Sequence, residues 1–141
     1  MVIRVGEAVR RLRDNDACLT ELKTITGKNG TTRISNAEAG ELAQALALNT
    51  TLTDLDLGLN KLGTGAGWAI GQSLALNRVL TDLDLEFNYI GAKGLRKVGQ
   101  SLQVNRVLTT LRLDPNVYCL DQDEVEMERL VGEIHRLVAV N

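Results

Sequence analysis

The stretch LTDLDLGLNKLG, from Leu52 to Gly63, returns 28 residues later as LTDLDLEFNYIG, from Leu80 to Gly91. A third, degraded copy, LTTLRLDPNVYC, occupies Leu108 to Cys119 at the same spacing. Leu52, Leu80 and Leu108 fall in register, as do Leu55, Leu83 and Leu111, then Leu57, Leu85 and Leu113. Asn60, Asn88 and Asn116 follow the last leucine of each copy. The segments between them also repeat: ISNAEAGELAQALALN (Ile34 to Asn49), LGTGAGWAIGQSLALN (Leu62 to Asn77) and IGAKGLRKVGQSLQVN (Ile90 to Asn105) align without a gap. In L-x-x-L-x-L the last two leucines share one face of a strand, so the residue between them points to the other face. Ala39, Leu42, Ala43 and Leu46 are spaced as one face of a helix, and Ile70 with Leu74 and Val98 with Leu102 follow suit. Ser35 with Glu38 forms a capping box at the start of the first of these helices. Each unit reads as strand, turn and helix, and no unit can bury its apolar face alone.

The pattern L-x-x-L-x-L-x-x-N-x-L with a period of 28 resembles the leucine-rich repeat of the ribonuclease-inhibitor type. The resemblance implies an α/β fold: a right-handed leucine-rich-repeat solenoid of about four 28-residue strand–turn–helix units, with a parallel sheet on the concave face and helices on the convex face. The chain then forms a single domain, 1–141, with an amino-terminal capping helix at 1–16 and repeats at 17–49, 50–77 and 78–105. The last repeat, 106–141, carries a longer closing helix. The capping helix places Val2, Val5, Val9 and Leu12 on one face. Upstream, Leu19 and Leu22 keep the pattern, while Thr24 and Gly27 replace the expected leucine and asparagine. From Leu19 to Leu52 is 33 residues, and the extra length falls in the polar loop Lys28 to Thr32. The closing helix begins near Asp121 or Asp123 and carries Val125, Leu130, Val131, Ile134 and Val138. Val140-Asn141 repeats the helix ending Val104-Asn105, which leaves two readings open: a terminal cap, or one piece of a longer protein. The consensus asparagines are expected to pair backbone groups in the turns, because an amide side chain both donates and accepts.

Composition agrees with one folded domain: 141 residues, 44% hydrophobic and 24% charged. Sixteen basic against eighteen acidic residues leave a net charge of -2, without the basic excess that nucleic acid or an anionic membrane requires. No stretch approaches the ~18–20 apolar residues of a membrane span, and the amino terminus lacks the apolar core of a signal peptide. A cytoplasmic location with free thiols at Cys18 and Cys119 is therefore expected. Three strand steps hold those cysteines roughly 14 Å apart, beyond the ~7 Å that a disulfide spans.

Asp54, Asp56, Asp82, Asp84 and Glu86 occupy solvent-facing strand positions of two adjacent repeats, bracketed by Lys23 and Arg112. With strands ~4.8 Å apart they make a compact acidic patch, suited to a partner that is basic where it meets the concave face. Phe87, Leu59 and Pro115 at the strand ends supply an apolar rim. The run GTGAGWAIG from Gly63 has the order of a nucleotide loop, but Trp68 replaces its third glycine and no lysine precedes Thr64. The repeat accounts for these glycines instead: Gly63 matches Gly91 at the strand–helix turn, and Gly71 matches Gly99 where helix is expected to approach sheet. His135 is the only histidine, and neither metal-ligand spacing nor a nucleophile with a base emerges. The sequence thus reads as a monomeric, non-catalytic chain with no cofactor. Trp68 takes the helix position of Gly40 and Arg96, so its indole either covers an adjacent helix or anchors a partner.

A narrower resemblance rests on NDACLTEL (Asn15 to Leu22), the long first unit, ALALNTTLTDLDL (Ala45 to Leu57), Leu113-Asp114, Leu120, and VEME (Val125 to Glu128) opening the closing helix. These residues resemble the carboxy-terminal actin-capping domain of tropomodulins and leiomodins. That resemblance implies actin as a partner, bound at the pointed end of its filaments. The tropomyosin-binding helices and first actin-binding segment of tropomodulins have no counterpart in this sequence. The reading that follows is a protein–protein interaction scaffold binding through its concave face, with tropomodulin-like pointed-end binding as the alternative.

Overall fold

Short strands alternate with helices along the chain, as the 28-residue period dictates. The computed structural model describes residues 3–23, 25–27, 33–114 and 124–141. In order they form β1 (Ile3–Arg4), α1 (Val5–Arg13), β2 (Glu21–Leu22), β3 (Ile25–Thr26), α2 (Asn36–Leu48), β4 (Asp54–Asp56), α3 (Thr64–Leu76), β5 (Asp82–Asp84), α4 (Gly91–Leu102), β6 (Thr110–Arg112) and α5 (Glu124–Ala139).

The main sheet is parallel with order β2-β4-β5-β6, the strands of successive repeats lying side by side, while β3 is excluded from it. A parallel pair needs a crossover, and α2, α3 and α4 supply one between successive strands. Register follows the repeat: Leu22 pairs with Leu55, Leu55 with Leu83, and Leu83 with Leu111. All four leucines are buried, as are Leu57 and Leu85 two residues on, and they meet Leu42, Leu46, Ile70, Leu74, Val98 and Leu102 from the helices in one core. Ahead of the strands, Thr20, Thr53 and Thr81 carbonyls each accept the next repeat's two backbone N–H groups and threonine hydroxyl, for example Thr81 and Asp82 N–H on Thr53.

Two sets of asparagines bond the repeats together. At the strand ends, Asn88 Nδ2 donates to Leu57 and Leu85 carbonyls at 2.9 and 3.0 Å, and its Oδ1 accepts the Leu62 N–H at 2.8 Å. Asn60 accepts the Ile34 N–H in the same way. Asn116 lies outside the described residues. A second set, whose role sequence reading left unassigned, sits at the helix ends. Asn49, Asn77 and Asn105 donate to Leu12, Leu46 and Leu74 carbonyls of the preceding unit at 2.9, 2.7 and 2.8 Å. Their Oδ1 atoms accept the N–H groups two and three residues on. Asn141 donates likewise to Asn105 and Leu108, while its buried Oδ1 has no partner among the described residues.

The expected capping box is present: Ser35 Oγ accepts the Glu38 N–H and Glu38 Oε2 accepts the Ser35 N–H. Other expectations need correction. The first helix begins only at Val5, because Ile3–Arg4 pairs with Ile25–Thr26 as a separate two-stranded sheet. Val5, Val9 and Leu12 do face the core, whereas Val2 lies outside the described residues. On α5, Val125 is exposed, and Met127 begins the buried face that continues through Leu130, Ile134 and Val138. Gly71 approaches a neighbouring helix rather than the sheet: a Cβ there would lie 3.0 Å from the Lys97 carbonyl oxygen. The start of the closing helix near Asp121, the Lys28 to Thr32 loop and Cys119 fall outside the described residues, and Cys18 is an exposed free thiol. Among the described residues no helix is long and apolar enough to cross a membrane.

Candidate interaction face

Strand register sets the outward residues of the sheet in two rows. Glu21, Asp54, Asp82 and Thr110 make the first, each beside the next across β2, β4, β5 and β6. Asp56, Asp84 and Arg112 make the second, with Lys23 flanking it from beyond β2. The structure thus brings Asp54, Asp56, Asp82 and Asp84 together on the strands and brackets them with cations, whereas Glu86, expected at a strand position, stands in the turn after β5 because its N–H is taken by the Asp84 carboxylate. Lys23 Nζ lies 2.6 Å from Glu21 and 3.8 Å from Asp54, and Arg112 lies 3.5 Å from Asp84. Asp82 accepts the Thr81 hydroxyl at 2.8 Å; the Thr81 and Thr110 hydroxyls, in that order of effect, hold its carboxyl below the ordinary range. Glu21, Asp54 and Asp84 thus each have a cation within ion-pair distance.

Asp56 and Asp84 have a second duty that sequence reading missed. Asp56 Oδ1 accepts the Gly58 N–H at 2.8 Å, and Asp84 Oδ1 accepts the Glu86 N–H at 2.9 Å. Each aspartate therefore bends the chain out of its own strand, a local turn that the aspartate side chain favours. Gly58 suits this crowding, since a Cβ there would meet Asp56 and Asp84 carboxylate oxygens at 3.2 and 3.3 Å. An aspartate ending each strand just before a turn was the available signal.

Beyond the turns stand Leu59 and Phe87, equivalent in successive repeats, 62% and 51% exposed, with φ of 60° and 55°. The left-handed region is unfavourable for such side chains by about 1–2 kcal/mol. Leu59 is fixed there by its N–H on the Glu86 carbonyl at 3.0 Å and by Arg33 Nε on its own carbonyl at 3.1 Å. The two side chains rim an open groove of about 480 Å³ whose walls include Lys23, Asp56, Asp84 and Glu86. Pro115, the third expected member of the rim, lies outside the described residues. The groove can hold an extended segment that offers cations to the carboxylates and an apolar group to the rim. No group of three or more acidic, histidine or cysteine side chains that could hold a metal ion occurs among the described residues.

On the opposite surface Trp68 is 48% exposed, with Lys97 Nζ 5.2 Å from its ring centre. His135 is also exposed.

A leucine-rich-repeat family model matches residues 48–70 and 76–99. Among solved structures, leiomodin-1 actin-binding site 2 superposes with a TM-score of 0.72 at 27% identity, covering 90% of this chain and 72% of that one. The tropomodulin C-terminal domain of Caenorhabditis elegans superposes with a TM-score of 0.55 at 13% identity, covering 94% of this chain and 92% of that one, a likeness of fold alone. No curated protein matches the sequence. Residues 48–70 and 76–99 are thus leucine-rich repeats, in a chain that resembles leiomodin-1 actin-binding site 2 and, in fold, the tropomodulin C-terminal domain.

Proposed function

We propose that this chain is a non-catalytic interaction scaffold that binds a protein through the outward face of its sheet. The observation that carries this reading is the pairing of exposed Leu59 and Phe87, held in left-handed backbone, with the in-register carboxylates beside them. Folding alone gains little from an exposed phenyl ring in strained backbone, whereas a partner surface gains an anchor. Asp54, Asp56, Asp82, Asp84, Glu86, Phe87 and Arg112 form the contact, and the partner is basic where it meets the carboxylates. The scaffold works in the cytoplasm as a monomer and coils right-handed, as nearly all strand–helix–strand crossovers do.

A second reading is favoured by the similarity to leiomodin-1 actin-binding site 2 over 90% of the chain: the partner is actin, engaged at the filament pointed end. The test is elongation of fluorescent actin from the pointed ends of filaments blocked at the other end. Dose-dependent slowing by the wild-type chain supports actin, and its loss in Asp54→Lys/Asp82→Lys assigns the contact to the sheet face. Unchanged elongation at saturating protein removes actin as the partner.

A further inference from the structure

The helix surface carries a feature that the repeat does not require. Trp68 on α3 replaces the Gly40 and Arg96 of neighbouring units, Lys97 on α4 replaces Glu41 and Ala69, and Lys93 replaces Gly65. These residues line a shallow groove of about 380 Å³ between α3 and α4, which Thr64, Gly65 and Gln100 help to floor. Glycines create it. A Cβ on Gly67 would lie 3.2 Å from Gly94 Cα, so the two helices approach closely beneath the groove. Gly65 has open space where its side chain would be.

Lys97 is held in place. The Lys97 stem passes Gly71, where a Cβ would lie 2.8 Å from Lys97 Cγ, and its ammonium then sits over the Trp68 ring at 5.2 Å. A lysine fixed by its stem and by an aromatic face loses less freedom on binding than a solvated one. None of the groove's lining residues is a carboxylate. Arg96 is engaged by Glu126 at 2.7 Å, whereas Lys93 and Lys97 have no carboxylate partner among the described residues. Half-exposed tryptophan, an ordered cation and a second cation without a carboxylate partner among the described residues thus converge on one open groove.

The geometry points to a second docking surface: the α3–α4 groove takes an acidic peptide segment that presents a bulky apolar side chain to Trp68 and carboxylates to Lys93 and Lys97. Charge complementarity selects this occupant, and the indole supplies the apolar anchor. The surface is separate from the sheet face and does not depend on what that face binds.

Trp68 is the only tryptophan, so its emission reports directly on the groove. The probe is a short capped peptide of glutamate and leucine, with its lysine–leucine counterpart as control. The expected result is a saturable shift of Trp68 emission with the acidic peptide alone, weakened by added salt. Lys93→Glu/Lys97→Glu, checked for folding by circular dichroism, should weaken binding at least tenfold. Trp68→Ala, followed by polarisation of labelled peptide, should weaken it similarly. Asp54→Lys/Asp82→Lys should leave it unchanged. Absence of a saturable shift, or equal binding of the lysine peptide, overturns the proposal. So does a protein whose mass rises with concentration only while its acidic sheet face is intact, with no response to the peptide, for the occupant is then a second copy of this chain.

Discussion

Asn105 Nδ2 donates to the Leu74 carbonyl at 2.8 Å, so the end of α4 is bonded to the last turn of α3, 31 residues earlier in the chain. The same bond recurs from Asn77 to Leu46 and from Asn49 to Leu12. Each such amide satisfies a helix-end carbonyl of one unit and the N–H groups that open the next strand of its own, joining the repeats where regular helix bonding ends. Asn49, Asn77 and Asn105 are all buried. Asn77→Ala would leave the Val79 and Leu80 N–H groups unpaired and would take from the Leu46 carbonyl one of its two donors, the other being the Asn49 N–H. A loss of about 2–4 kcal/mol in urea unfolding is expected, more than one unmade bond at about 1–3 kcal/mol. Asn141→Ala should lose less, since its Oδ1 accepts nothing from the described residues to begin with. Equal losses at the two positions would contradict this account.

Phe87 and Leu59 make the opposite kind of prediction. Both are exposed and both have positive φ, so replacing either with glycine relieves backbone strain and removes little packing. Phe87→Gly is expected to raise stability by up to about 1 kcal/mol in thermal or urea unfolding. Partner binding through the sheet face should weaken in the same variant. A protein destabilised by Phe87→Gly would show that the phenyl ring serves the fold.

Glycine positions on the helices separate into two classes. A Cβ at Gly71 would lie 2.9 Å from the Lys97 carbonyl carbon, against backbone that cannot swing aside, whereas Gly40 has open space around it. Gly71→Ala should therefore destabilise by about 1–3 kcal/mol as α3 and α4 are pushed apart. Gly40→Ala should stabilise by about 0.5–1 kcal/mol through helix propensity alone. Paired unfolding curves decide the matter, and the sign of each change is the test.

Much of this was legible in the sequence because the period multiplies each local signal. Leu55 and Leu83 pair in the sheet because they occupy the same place in successive units, and Asn88 bonds across units for the same reason. Ser35 and Glu38 were readable because a capping box is local. Legibility failed where the deciding partner lies outside the repeat or across an interface. The pairing of Ile3 with Ile25 has no periodic signature in two-residue strands. Val125 and Met127 are both apolar, and only docking of α5 onto α4 decides which turns inward. Asp56 looked like a free surface carboxylate, yet its Oδ1 is occupied by its own chain at Gly58. Of the site itself, the carboxylate rows were predictable from strand alternation, whereas Arg33 and the groove it borders required the folded turn.

Glu126 ties α5 to α4 by charge. Its carboxylate meets Arg129 at 2.8 Å on its own helix and Arg96 at 2.7 Å on α4. These hydrogen bonds, Arg129's first and Arg96's second, bring its pKa down from 4.5 to about 2. The folded protein thus holds this proton less tightly than the unfolded chain. The contribution of the pair to folding is complete above pH 4.5 and is lost progressively as pH falls toward about 2. Carboxyl NMR titration should find the Glu126 midpoint near pH 2 in the wild-type protein. Arg96→Gln, which keeps the helix surface but removes the charge, should raise that midpoint, and Arg129→Gln should raise it further. A wild-type midpoint at the ordinary glutamate value would mean that α5 is held to α4 by Leu130 and Ile134 packing alone, with Arg96 and Glu126 both facing solvent.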